Sequence, residues 1–176
     1  MKKFIFGLAI ASIGTLSSCI VTDNKKDDIL DSIHTIETEI FENTENKIET
    51  LKGIELIELY QKWAEAHPND EQSPKFLLKG ADIAIHIKEP GKAMVCLKKI
   101  EDNFSEFEKM DCCCFLKAHL YEDHFQDYEK AKACYEEIIE KYPDSDFADD
   151  AQASIQNLGL TPEQLIQKFQ EKNKTN

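Results

Sequence analysis

The most constraining feature of this 176-residue chain is an internal repeat. The segments 74–105 and 112–143 align over 32 positions when the sequence is shifted by 131 − 93 = 38. The identical pairs, seven in all, are Leu78/Leu116, Lys79/Lys117, His86/His124, Lys92/Lys130, Ala93/Ala131, Cys96/Cys134 and Ile100/Ile138. Unrelated segments would share about two, and repeat units of this length bury a core only against their neighbours. The repeat therefore predicts stacked units that form a surface for holding another molecule.

Apolar residues recur at steps of three and four through most of the chain, which predicts amphipathic helices. The predicted helices cover 29–41, 50–66, 74–87, 91–104, 112–124, 128–142 and 147–158, and a last one begins at Pro162. Ser73 is expected to cap the third helix, with Pro74 at its first position. Thr161 and Gln164 form a capping box for the last helix, whose Leu165, Ile166 and Phe169 are expected to cover the end of the stack. No stretch alternates with period two, so the fold class is all-α without a sheet.

The N-terminus has the features of an export signal. Lys2 and Lys3 precede an apolar run, 4–16, which is too short to span a membrane as a helix. The run closes on Leu16-Ser17-Ser18-Cys19, which resembles the lipobox of bacterial lipoproteins. The resemblance implies cleavage before Cys19 and lipid attachment on Cys19. The alternative is an ordinary secretory signal that happens to be followed by a cysteine.

The residues after the lipobox bear on the destination. Ile20, rather than aspartate, follows Cys19, and by analogy with sorting rules in Gram-negative bacteria this favours the outer membrane. The run 26–28 is similar to a signal that sends some lipoproteins to the cell surface. Charge runs near a terminus are, however, usually solvated linkers. We therefore expect the protein to lie on the periplasmic face of the outer membrane. The predicted domains are a signal peptide over 1–18, a lipidated tether over 19–28, an N-terminal helix and linker over 29–49, a helical repeat domain over 50–172 and a disordered tail over 173–176.

The charge balance restricts the partners. The chain carries 21 − 34 = −13 formal charges, and cleavage of the signal would make the body more negative still. Nucleic acid and anionic lipid surfaces attract basic clusters, which this chain lacks. The composition therefore predicts a body that meets basic or neutral partners and touches the membrane only through its lipid.

The second repeat copy resembles a tetratricopeptide repeat. Tyr128, Ala131, Tyr135 and Pro143 occupy the aromatic, small, aromatic and proline positions of that motif. The period of 38 departs from the commonest length of 34. The stretch 141–169 is also similar to the ends of small outer-membrane repeat lipoproteins, and it resembles the outer-membrane-assembly lipoprotein and the cell-division coordinator of the same envelope. The resemblance implies a short solenoid of antiparallel helical hairpins that binds envelope proteins, and it carries no catalytic residues.

The cysteines and histidines offer an alternative function. Three cysteines are adjacent: Cys112, Cys113 and Cys114. On a helix their side chains point in three directions and cannot converge on one ion. Burial at small apolar positions is the simpler interpretation. Cys96 could form a disulfide with one of these three. His119 and His124 are five residues apart, which is not the spacing of a helical metal site. We therefore expect no metal, cofactor or enzymatic activity.

The transferred repeat pattern places the leading helix of each hairpin along the concave side. Three residues of the second leading helix then form a candidate binding groove: His119, Glu122 and Asp123. Three functions remain open: a protein-binding or assembly scaffold, a small-ligand or metal-binding lipoprotein that uses Cys and His residues, and a passive structural spacer.

Overall fold

The structure, a computed structural model, describes residues 18–42 and 48–174, so residues 1–17 of the predicted signal peptide lie outside this range. All regular structure in the described residues is helical and none of them forms a strand, which confirms the predicted all-α class. No helix in the described residues has both the length and the apolarity to cross a bilayer. The helices are α1 (Ser18–Phe41), α2 (Thr50–Ala66), α3 (Gln72–His86), α4 (Pro90–Asn103), α5 (Met110–His119), α6 (Tyr128–Lys141), α7 (Ala148–Asn157) and α8 (Pro162–Lys174), and a π-helical turn (Leu120–His124) continues α5.

Helix α1 is longer than predicted, because it begins at Ser18 instead of near Ile29. The predicted tether, 19–28, is therefore helical, since nothing in its sequence breaks the helix before the apolar stripe begins. The stripe is buried against the body through Ile29, Ile33, Ile36 and Ile40. These four isoleucines make α1 a part of the folded core.

A polar group completes the docking of α1. Glu37 accepts hydrogen bonds from the Tyr60 hydroxyl of α2 (2.6 Å) and from Lys79 Nζ of α3 (2.7 Å). Burial alone would raise the pKa of Glu37, but the hydrogen bonds from Lys79 and Tyr60 hold it below its usual value. Glu37 thus ties together three helices that are distant in sequence.

Consecutive helices pack as antiparallel pairs. The Cβ position of Gly53, near the start of α2, lies 3.2 Å from Ile87 after the end of α3. The rings of Trp63 and Phe76, at the opposite ends of these two helices, are 5.7 Å apart. A Cβ added to Gly80 of α3 would lie 3.3 Å from the sulfur of Cys96 in α4, so this small residue allows a close crossing of the two helices.

The two repeat copies have the same backbone plan. Adding the repeat period to the residue numbers that bound α3 gives the bounds of α5 together with its π turn. Adding it to the bounds of α4 gives those of α6. Lys88 and Gln126, which are also one repeat period apart, both have positive φ, at 62° and 53°. Each lies in the turn between the two helices of its hairpin. The sequence repeat is therefore a repeat of conformation.

The connectors, which are the segments that join one helical hairpin to the next, repeat as well. They indicate that the pair α1–α2 is a third unit. In each connector the same pair of backbone hydrogen bonds is spaced three residues apart. The pairs are Asp70→His67 and Ser73→Asp70, Phe107→Phe104 and Met110→Phe107, and Ser145→Tyr142 and Ala148→Ser145, all at 2.9–3.1 Å. The offsets in residue number are 104 − 67 = 37 and 142 − 104 = 38. The pair α1–α2 thus leads into the stack through the same junction as the two sequence copies.

Two local predictions at helix ends had different outcomes. Ser73 does not cap α3, because the helix already begins at Gln72; its hydroxyl instead donates to the His67 carbonyl (2.6 Å). The capping box of α8 is confirmed, because the Thr161 amide donates to the Gln164 side chain (2.8 Å) and the Gln164 amide donates to the Thr161 hydroxyl (3.3 Å).

The prediction that α8 covers the end of the stack is wrong for two of its three residues. Ile166 and Phe169 are 58% and 55% exposed, whereas Leu165 is half-buried. The side chains of Ile166 and Phe169 are exposed because α8 lies at the end of α7. There the ammonium group of Lys168 donates to the Gln156 carbonyl (2.9 Å). The helix also extends to Lys174, so the first two residues of the predicted disordered tail, 173–176, are helical and the last two lie outside the described residues.

Candidate functional site

The structure brings the three predicted groove residues together. His119 is the last residue of α5, and Glu122 and Asp123 lie in the π turn that follows. One donor atom from each lies within 4.8 Å of the other two. His119 Nδ1 and Asp123 Oδ2 are 3.6 Å apart. His124, the other histidine considered from the sequence, is exposed and lies outside this group.

Buried aromatic side chains support the trio from below. The hydroxyl of Tyr135, a fully buried residue of α6, donates to Glu122 Oε2 at 2.8 Å. The His119 ring makes edge contacts with Phe115 (4.6 Å between centroids) and Tyr135 (5.8 Å). Burial and the neighbouring Glu122 carboxylate raise the pKa of Tyr135, so its hydroxyl remains a donor throughout the physiological range. One imidazole and two carboxylates are thus presented on a rigid aromatic base.

The cysteines form no comparable site in the described part of the chain. All five cysteines from Cys96 onward are free, and four of them are buried, with Cys112 half-buried. Burial raises the pKa of Cys113 to about 12 and of Cys114 to about 11, so these thiols are protonated at neutral pH and are poor nucleophiles and ligands. Among the described residues, no cysteine belongs to a group of three metal-donor side chains. These observations favour the interpretation of the cysteines as core residues.

Sequence reasoning missed a surface depression of about 600 Å³ between the first two connectors. Its apolar lining is Pro68, Pro74, Phe104 and Phe107, and its acidic lining is Asp70, Glu71, Glu106 and Glu108. A second depression of about 290 Å³ shares Pro68, Asn103 and Phe104 with it, so the two are adjacent. A cavity of this size is within the range of natural binding sites.

The depression could have been noticed from the composition of the connectors. The three connectors contain six carboxylates and a single lysine or arginine, Lys109. They span 67–73, 104–110 and 142–148. Glu71, Glu106 and Glu108 are exposed, and among the described residues none of them has an ion-pair or hydrogen-bond partner. The first two connectors therefore present negative charge beside aromatic rings, and the third carries two more carboxylates.

The predicted lipid-attachment residue, Cys19, is the second residue of α1, and its side chain is outside the part that the structure describes. From Cys19 to Ile29, where the buried stripe begins, α1 runs for 29 − 19 = 10 residues. At 1.5 Å per residue this is about 15 Å of helix.

Comparisons of the chain with protein-family models, with curated proteins and with solved structures found no match.

Proposed function

We propose that this chain is a lipid-anchored helical repeat protein that binds another protein in the bacterial cell envelope as an assembly scaffold. In this proposal the hairpins form a short tetratricopeptide-type solenoid, lipid on Cys19 holds it at the periplasmic face of the outer membrane, and the helical start of α1 sets its distance from the bilayer.

The observation that carries the proposal is the threefold repetition of the connector. Three junctions share one hydrogen-bond pattern, which supports a stack of similar hairpins, and such stacks form extended binding surfaces. Ala131, at the small position of the tetratricopeptide resemblance, is buried, and so are its repeat counterpart Ala93 and the aromatic Tyr135.

The depression indicates the chemistry of the partner segment. Four carboxylates and one cation, Lys75, border it, giving a local charge of 1 − 4 = −3. Phe104 and Phe107 supply an apolar floor. Such a surface fits a segment that carries positive charges beside an apolar side chain, because charge complementarity speeds and orients association and apolar burial stabilises the complex.

This proposal predicts the effect of neutralising the rim. In the triple variant Glu71→Gln, Glu106→Gln and Glu108→Gln, recovery of a crosslinked partner from intact cells should fall about tenfold, the equivalent of about 1.4 kcal/mol of binding free energy. The variant should fold normally, because all three side chains are exposed. Copurification after chemical crosslinking, quantified by mass spectrometry, measures the effect.

The matched control is the triple variant Glu55→Gln, Glu129→Gln and Glu140→Gln. These glutamates are also exposed and lie away from the depression, so the net charge changes equally. The control should retain the partner. Equal loss in both variants would indicate general electrostatics and contradict the site, and a bare monomer under every crosslinking condition would favour the passive spacer.

A further inference from the structure

We infer that His119, Glu122 and Asp123 form a binding site for a divalent first-row transition ion of the zinc type. This site is separate from the connector depression and does not rest on the proposed scaffold function. It also differs from the sequence expectation of no metal, which rested on the three adjacent cysteines and on the spacing of His119 and His124.

The spacing of the donors suits coordination better than hydrogen bonding. Around a tetrahedral ion with ligand distances of about 2.1 Å, donor atoms lie about 3.4 Å apart. His119 Nδ1 and Asp123 Oδ2 are separated by 3.6 Å, which is long for a hydrogen bond but close to this value. The Glu122 donor lies within 4.8 Å of both, so the three donors surround one small volume.

The first repeat copy provides an internal comparison. One repeat period earlier, the positions of His119, Glu122 and Asp123 correspond to Ala81, Ala84 and Ile85. Ala81 and Ala84 are fully buried in an ordinary α-helix, whereas the second copy is π-helical from Leu120. The hairpin therefore does not need polar groups at these positions. The second copy alone has three metal-donor residues there, in a π turn, which is a form often found at functional sites.

Tyr135 has the role of an outer-shell residue. Ligand carboxylates in metal sites are usually held by hydrogen bonds from the protein, and loss of such a bond typically weakens metal binding roughly 10- to 100-fold. The Tyr135 hydroxyl, fixed in the core, holds Glu122 in this way at 2.8 Å. An imidazole nitrogen with two carboxylate oxygens suits Zn²⁺ better than Mg²⁺ or Ca²⁺, which prefer oxygen ligands. Three protein ligands leave a coordination position open for water or for a partner's side chain.

The test is titration of the full-length chain, purified in detergent without a histidine tag, with Zn²⁺ against a chromophoric competitor. We expect one equivalent of Zn²⁺ to bind. Affinity should fall at least tenfold in His119→Ala and in Asp123→Asn, and about tenfold in Tyr135→Phe. Excess Mg²⁺ or Ca²⁺ should not displace the ion.

The matched control is His124→Ala, which removes an exposed histidine outside the group and should bind Zn²⁺ as the parent does. All variants retain the cysteines, so metal bound by thiols would persist in each of them. Because Asp123 is 64% exposed, its replacement does not threaten the fold. Absence of stoichiometric binding, or binding unchanged in both His119→Ala and Asp123→Asn, would overturn the inference.

Discussion

Replacing Ile33 with aspartate should destabilise the protein by at least about 3 kcal/mol. Ile33 is fully buried at the centre of the α1 stripe, and aspartate there would leave an unpaired charge in an apolar contact, a change that costs about 3–5 kcal/mol. In a domain of this size such a loss lowers the melting temperature by roughly 10 °C. Thermal unfolding followed by circular dichroism measures the change.

The control for Ile33→Asp is Thr35→Asp, two residues along the same helix. Thr35 is exposed, so this variant adds the same charge without burying it. Its stability should therefore change by less than about 0.5 kcal/mol. If Ile33→Asp melted like the parent, α1 would not be part of the core, and the proposed attachment of the body through a continuous helix would be wrong.

Replacing Trp63 with alanine should cost about 3–5 kcal/mol of the free energy of unfolding. Trp63 is 1% exposed and packs against His67 (4.5 Å between ring centroids) and Phe76 (5.7 Å), at the junction of α2 and α3. Alanine would leave a cavity beside the first connector, because the surrounding helices cannot collapse fully into it. Urea unfolding measures the change as a lower midpoint.

Leu51→Ala is the matched control for Trp63→Ala, since Leu51 is on the same helix but 74% exposed. Its removal should change stability by less than about 0.5 kcal/mol. Similar losses in the two variants would mean that α2 does not bury the face seen in the structure.

Much of the fold could be predicted because the governing signals are local or repeated. Helical spacing of apolar residues gave the class of the elements and most of their positions. The internal identity pattern predicted two like hairpins, whose shared turn conformation at Lys88 and Gln126 is now visible. The Thr161–Gln164 capping box could be predicted from the sequence because a cap depends only on residues three positions apart.

Most of the errors arose where tertiary contacts decide the outcome. One error was local: the polar residues of 19–28 resemble a linker, yet none of them breaks the helix that they continue. Ile166 and Phe169 have the spacing of a buried stripe, but spacing does not reveal whether a partner surface is within reach. The connector depression was missed because its walls come from two loops that are separated by a whole hairpin, and the spacing of apolar residues in helices does not show which loops meet.

The candidate site was partly predictable. The transferred repeat pattern placed His119, Glu122 and Asp123 on one leading helix, along the side that it assigns to the concave surface. Their approach within 4.8 Å and the support from Tyr135 depend on the π turn and on α6, which no local pattern indicates.

The most direct test of the central claim, that the connector edge binds a protein, is site-specific photo-crosslinking in living cells. A photoreactive amino acid is placed at position 106, on the rim of the depression, and in a parallel strain at position 140, on the exposed side of α6. The account predicts a single adduct of defined mass from position 106 and none from position 140. No adduct at position 106, or the same adducts at both positions, would contradict it.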